Sequence, residues 1–190
     1  MKKGRLVTVL LVIVVAASVS ALLLYRSIQQ KRDGLTALEP SVSAPTTDEM
    51  LTIDLYFTDG EGSRLALERR EIPVGFIEAL TRSAVEGLLS GPDKERLSRT
   101  IPEGVRIRSI FVKDGTAYVD FTSSIVANHV GGAWTELLTI YSIVNTLTEN
   151  FSEIGKVQIL IDGREFETLA GHVDISRPLH GRVQLLAGDW

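Results

Sequence analysis

The stretch Val157–Leu179, VQILIDGREFETLAGHVDISRPL, gathers Asp162, Glu165, Glu167, His172 and Asp174 within thirteen residues. Carboxylates and imidazole are the groups that move protons and hold metal ions. On an extended chain, residues two apart share a face. His172 and Asp174, an H-x-D pair, are therefore candidate ligands of a metal. A tight site needs a third and fourth donor from elsewhere, and His129, beside Gly131-Gly132, is the candidate third. The competing reading is structural. Asp162-Gly163 lies between two apolar segments, where a turn wants those residues. Glu165 and Glu167 share a face opposite Phe166, the pattern of a solvent-facing strand, and His172 fits a loop histidine satisfied by hydrogen bonds. The spacing favours this second reading, with no metal ligand and no catalytic residue.

Other chemistries find less support. Ser123-Ser124 lacks a G-x-S-x-G elbow and an evident base; the pair is expected to cap a short helical turn. Asp120 and Asp162 would have to face each other about 5–10 Å apart across a sugar-gripping cleft to act as glycosidase carboxylates. An aromatic content of 6%, with Trp134 on a helix and Trp190 at the end, offers little sugar platform. The glycines of DGEG and VGGA do not form a phosphate-cradling pattern, and no cofactor is expected. The chain has no cysteine, which removes disulfides, thiolate zinc sites, cysteine nucleophiles and cysteine lipidation. Residues 51–180 hold 13 Lys/Arg against 19 Asp/Glu. A domain of that balance has no basic field for phosphates, so nucleic acid is not an expected partner.

The elements that carry these residues begin with an uncharged run from Leu6 to Leu24. As a helix it spans roughly 29 Å, about the hydrocarbon thickness of a bilayer. Lys2, Lys3 and Arg5 precede it and favour a cytoplasmic N-terminus. The expected organisation is a cytoplasmic stub (1–5), a transmembrane anchor (Leu6 to Tyr25), a flexible tether (26–50), a folded domain (51–180) and a C-terminal tail (181–190). A cleaved signal peptide ending at Val19-Ser20-Ala21 is the alternative for the apolar run. Either way the folded part lies outside the cytoplasm, at the membrane or in the periplasm.

Within the domain, LTIDLYF alternates, with Leu51, Ile53, Leu55 and Phe57 on one face. DGEG turns the chain and RLALERREI returns. Ile77, Leu80, Ala84 and Leu88 recur at helical spacing before Gly91-Pro92 stops the helix. VRIRSIFV and TAYVDF form a second hairpin about Asp114-Gly115. SSIVANHVGG connects to a helix striped by Leu137, Ile140, Val144, Leu147 and Phe151. KVQILI then reads as a central strand covered on both faces, turned by Asp162-Gly163 into a returning REFETL. The order ββα-ββα-ββ predicts an α+β fold: an antiparallel sheet of hairpins, two main helices packed on one face, and one transmembrane helix before it.

The segments LYFTDGEG, VEGLLSGP, TIPEGVRIRSIFVKDGTAYVDFT and GGAWTELLTIYSIVNTLTENFSEIGKVQILIDGREFETLAGHVDISRPL, taken in order over residues 51–179, resemble the GerMN domain family of spore germination and sporulation proteins. IPEG, DGTAYVDF, NTLTENF and ILIDGREFETLAGHVD carry most of the likeness. The resemblance implies an extracytoplasmic domain, tethered by a lipid or a helix. It also implies a fold similar to ring-building motifs of secretion assemblies, no catalytic activity, and work done through protein contacts in the cell envelope. The present sequence shows one copy of the pattern and no lipobox cysteine.

Aromatic and arginine side chains are favoured in interface hot spots. Trp134 lies about 90–100 degrees from the centre of its helix's apolar stripe. With Tyr56, Tyr118, Arg106 and Arg108 it is a candidate for protein contact. The expected function is therefore a non-enzymatic, membrane-anchored interaction module whose partner is an envelope protein or a cell-wall component. An envelope hydrolase acting on cell wall, metal-dependent or not, is the first alternative. A ring or homo-oligomer subunit is the second.

Overall fold

The computed structural model describes residues 49–186; the expected anchor and most of the tether lie outside them. Among the described residues no helix is long and apolar enough to cross a membrane. Two three-stranded sheets share one core. Sheet A has the order β2-β1-β3, with β1 at Met50–Asp59, β2 at Leu65–Pro73 and β3 at Leu97–Ser98. Sheet B has the order β4-β5-β6, with β4 at Ile107–Lys113, β5 at Thr116–Phe121 and β6 at Lys156–Ile161. The helices are α1 (Ile77–Ser90), the single turn α2 (Ser124–Ala127) and α3 (Ala133–Asn150), with a 3-10 turn at Val183–Leu185.

The β1–β2 hairpin forms as its alternation predicts. Met50 pairs with Pro73 and the register runs to Thr58 with Leu65. Ile53, Leu55 and Phe57 are buried. The DGEG turn is tied by Asp59, whose carboxylate accepts from Ser63 N (2.7 Å) and Ser63 Oγ (2.7 Å). Asp114 and Asp162 adopt φ of 50°, and the glycines after them 71° and 77°. Two successive left-handed residues define the tight turn that matches strand twist, and Asp-Gly tolerates it. After β4 this turn makes a full hairpin, Lys113 opposite Thr116. After β6 it yields one bridge, Ile161 with Arg164, and the return strand expected over REFETL does not form.

Three expectations are corrected here. First, the sheet is not one array of hairpins: β6 pairs with β5 in parallel, Thr116 opposite Lys156 through Phe121 opposite Ile161. The connection, residues 122–155, contains all of α3, and a crossover of that length is what parallel pairing requires. Second, the central strand of sheet B is β5, not β6. β6 is nonetheless largely buried, at Val157, Gln158, Ile159 and Ile161: Gln158 Nε2 donates to Ile175 O (2.9 Å) in the returning chain, which also closes the strand's outer edge where Val157 and Leu179 exchange backbone bonds of 2.8 Å. Third, the helices do not serve a single sheet: they touch each other, and each reaches strands of both sheets. α3 touches β1 of sheet A and β6 of sheet B, and α1 touches β1, β2 and β4.

The position of α3 explains its composition. Leu138, Ile140, Tyr141, Ile143, Val144 and Leu147 are buried, but so are Thr139, Ser142, Asn145 and Thr146. A buried polar side chain is tolerable only when hydrogen-bonded, and each of these is. Thr139 Oγ1 donates to Thr100 O (2.6 Å), and Ser142 Oγ meets Thr100 Oγ1 at 2.7 Å. The Asn145 amide accepts from Arg182 N (2.7 Å) and donates to Arg182 O (3.1 Å). Thr146 Oγ1 accepts from Tyr56 N (3.2 Å). One helical turn further, Asn150 accepts from Asp54 N (2.8 Å) and donates to Asp54 O (2.7 Å). Thr146 and Asn150 thus satisfy β1 where β3 is too short to reach.

Candidate functional site

His172, Asp174 and His129 do not meet. The His172 ring Nδ1 lies 3.0 Å from Glu136 Oε2. Asp174 accepts from Ser176 N (2.9 Å) and Ser176 Oγ (2.6 Å). Those Ser176 bonds, the side-chain one first, hold the Asp174 carboxyl below its ordinary range. His129 Nδ1 accepts from Gly131 N (3.0 Å), which leaves the proton on Nε2 to face Thr139 Oγ1 at 3.2 Å. Burial lowers the His129 pKa, against an opposing pull from Glu136. Among the described residues no three His, Cys, Asp or Glu side chains are grouped to hold a metal ion. His180 Nδ1 lies 3.0 Å from Gly155 O, a backbone carbonyl 25 residues away.

Asp120 and Asp162, weighed above as glycosidase carboxylates, belong to one turn: Asp162 is part of it and Asp120 binds it. Asp120, 5% exposed, accepts from Gly163 N (2.8 Å) and Arg108 Nη1 (3.1 Å). Asp120 therefore anchors the Asp162-Gly163 turn instead of facing a cleft. The expected capping by Ser123-Ser124 is also corrected. Ser123 makes no side-chain cap bond; its backbone carbonyl accepts from Val126 N and Ala127 N, while Ser124 Oγ donates to Gly104 O (3.2 Å).

Of the contact candidates, Tyr56 lies in the core, 6% exposed, and offers no surface. Burial, then the charges of Asp54 and Glu149, push its phenol up to about 12. Trp134 is half exposed, its indole N–H donating to Gly62 O across the β1–β2 turn (3.2 Å). Tyr118 stacks on the exposed Phe111, ring centroids 4.5 Å apart and planes within 8°. Arg106 is exposed, and Arg108 reaches Asp120.

The most organised polar site centres on a residue the sequence reading passed over. Glu136, in the first turn of α3, is fully buried. Its Oε1 accepts from Leu169 N and Ala170 N, and its Oε2 from His172 N, each at 2.9 Å. Burial alone would raise its pKa; the bonds from Ala170, the His172 ring, Val173 and His172 N outweigh it and hold the carboxyl below the ordinary range. The available signal was periodic. Glu136 stands four residues before Ile140 and eight before Val144, in line with the apolar stripe, where a charge needs partners. A second buried carboxylate, Glu68 on β2, plays a similar part. It accepts from Arg70 Nη2 (2.6 Å), Asp93 N (3.0 Å) and Lys94 N (2.9 Å). Arg70 in turn donates to Gly87 O, Ser90 Oγ and Gly91 O at the end of α1.

These contacts define an α+β domain whose buried carboxylates organise loops. A carboxylate beside an imidazole is also the start of a general base. Here, though, His172 Nε2 makes no hydrogen bond to a hydroxyl among the described residues. The family model described as Germane, sporulation and spore germination, matches residues 54–167, and the chain belongs to that family. Its structure is similar to the tandem GerMN domains of the sporulation protein GerM from Bacillus subtilis. That likeness, of fold alone, has 24% identity and a TM-score of 0.58, covering 70% of this chain and 46% of that one. Against the first GerMN domain of the same protein the identity is 26% and the TM-score 0.54, covering 68% of this chain and 97% of that one. A Clostridium perfringens protein described as a lipoprotein is similar at 29% identity and a TM-score of 0.51, over 69% of this chain and 87% of that one. No curated protein matches.

Proposed function

We propose that this chain is a non-enzymatic, membrane-anchored interaction module on the outer side of the cytoplasmic membrane, with a GerM-like role in sporulation or germination. The family match over residues 54–167 carries the reading. Two further observations support it. The buried carboxylates Glu68, Asp120 and Glu136 are each bonded to backbone amides of the domain itself, which leaves none of them free for a substrate. The apolar run Leu6 to Leu24 is long enough to span a bilayer, and one structural relative is described as a lipoprotein. An anchor confines the domain to a plane and raises its effective concentration for neighbours in the membrane or wall.

The test uses the full-length chain in intact cells, with photoreactive residues at exposed positions and a C-terminal reporter that is active only outside the cytoplasm. Reporter activity and discrete adducts with an envelope component are expected. A silent reporter, or hydrolysis of cell-wall glycan lost in a folded His172→Asn variant, would overturn the proposal.

A further inference from the structure

Sheet edges expose unpaired N–H and C=O groups, and the edges of this domain are closed to different extents. The side of β1 away from β2 is satisfied by β3, Thr146 and Asn150. The outer side of β6 takes Leu179 at Val157; β2 is bridged among the described residues at Leu65 alone, by Leu186, and the rest of that strand mixes acids, Glu68 and Glu71, with Arg69 and Arg70. β4 differs. It pairs with β5 alone, and none of its seven residues is buried, whereas five of the six in β5 are.

The chemistry along this edge is distinctive. Residues 105–113, VRIRSIFVK, carry Arg106, Arg108 and Lys113 and no acid, in a chain of net charge −4. Arg108 is engaged by Asp120 (3.1 Å) and Asp162 (3.9 Å). Arg106 and Lys113 form no ion pair among the described residues; Asp114, at the hairpin tip, is the acid nearest in sequence. On the core side Ile107, Ile110 and Val112 are partly buried and end the apolar layer; on the outer side Phe111, 43% exposed, covers Tyr118. Basic side chains along an edge disfavour pairing with a second copy of the same strand, because like charges are brought together. The same charges favour an acidic strand.

We infer that β4 is a docking edge for an extended acidic segment of a partner protein. That segment adds as a fourth strand beside β4, its apolar side chains continuing the Ile110 and Val112 row and its carboxylates meeting Arg106 and Lys113. Backbone bonding supplies affinity, and the charge pattern supplies orientation and selection against other strands. The inference rests on the interaction-module reading and names the surface through which it acts.

The probe is a peptide of alternating valine and glutamate, titrated against the full-length protein in detergent and followed by amide hydrogen exchange. Binding with new protection of amides 107–113 is expected. Arg106→Glu combined with Lys113→Glu, both exposed positions, should weaken it by about tenfold or more, and raised salt should weaken it too. A peptide N-methylated at alternate amides should lose binding, which separates strand addition from charge adsorption. Equal binding by the methylated peptide, by a valine–lysine peptide, or no protection in 107–113 would overturn the inference. Cellular cross-links through Trp134 and none through Ser109 would also overturn it while leaving the interaction-module reading intact.

Discussion

Glu68 and Glu136 solve one problem with different partners. Both are buried carboxylates that order a loop by accepting from its amides, residues 93–94 for Glu68 and residues 169–172 for Glu136. Glu68 is paired with the guanidinium of Arg70 at 2.6 Å. Glu136 is met instead by the ring of a half-exposed histidine, His172. The first loop is held by an ion pair with several further carbonyl contacts. The second relies more heavily on the carboxylate itself, with three amides converging on one side chain. The difference teaches that Glu136 is the less replaceable of the two.

The largest expected effect follows. Glu136→Ala should orphan three amides, one buried and two partly buried, and destabilise the domain by about 3–5 kcal/mol in denaturant unfolding. Glu68→Ala should cost less, about 2–3 kcal/mol, because Arg70 keeps its bonds to Gly87, Ser90 and Gly91. A greater loss at Glu68 would invert the comparison. His172→Asn, which keeps a donor near Glu136, should cost about 1 kcal/mol and His172→Ala more. Asp174→Ala, on an exposed turn, should leave the unfolding midpoint unchanged.

Acid titration sharpens the same contrast. The Glu68 and Glu136 pKa values lie below the ordinary 4.5 in the folded state. Their contribution is complete above that value and disappears as pH falls through the folded values. For Glu68, as for Glu136, burial pushes the other way and the bonds from Lys94, Asp93 and Arg70 outweigh it. His129 is depressed below 6.5, so the unfolded chain takes its proton first. Stability should therefore begin a shallow decline as pH drops below 6.5 and fall steeply below about 4.5. His129→Gln should remove the first decline and leave the second, as read from unfolding curves collected across pH.

What could be read in the sequence was local. The Asp-Gly turns, the β1 alternation and the existence of α1 and α3 each depend on neighbours a few residues away. The parallel partner of β6 was not legible, since its apolar run is equally compatible with a hairpin and a crossover. The truncated return after Asp162-Gly163 was hidden for a related reason: Glu136, 33–36 residues upstream, binds the amides that follow. Asp120 was weighed and set aside as a glycosidase carboxylate, but its role as a turn anchor was not legible, because its partner Gly163 lies 43 residues away. The polar residues of α3 broke the expected narrow stripe, and only their distant carbonyl and amide partners explain why they are inside. Tyr56 alternated to the outer face of β1, but α3 lies against that strand and covers it.

The crossover between β5 and β6 has a consequence for the order in which the molecule assembles. The β1–β2 and β4–β5 hairpins close over short loops and can zip early, on the microsecond scale typical of hairpins. β6 can join only after residues 122–155 have folded back with α3 in place, a non-local closure that slows folding. The segment from Arg164 onward then wraps last, and a nascent chain that has not yet reached Leu169 holds Glu136 without the amides that neutralise its cost. The carboxyl-terminal arm is thus the latch on a body that is nearly complete without it.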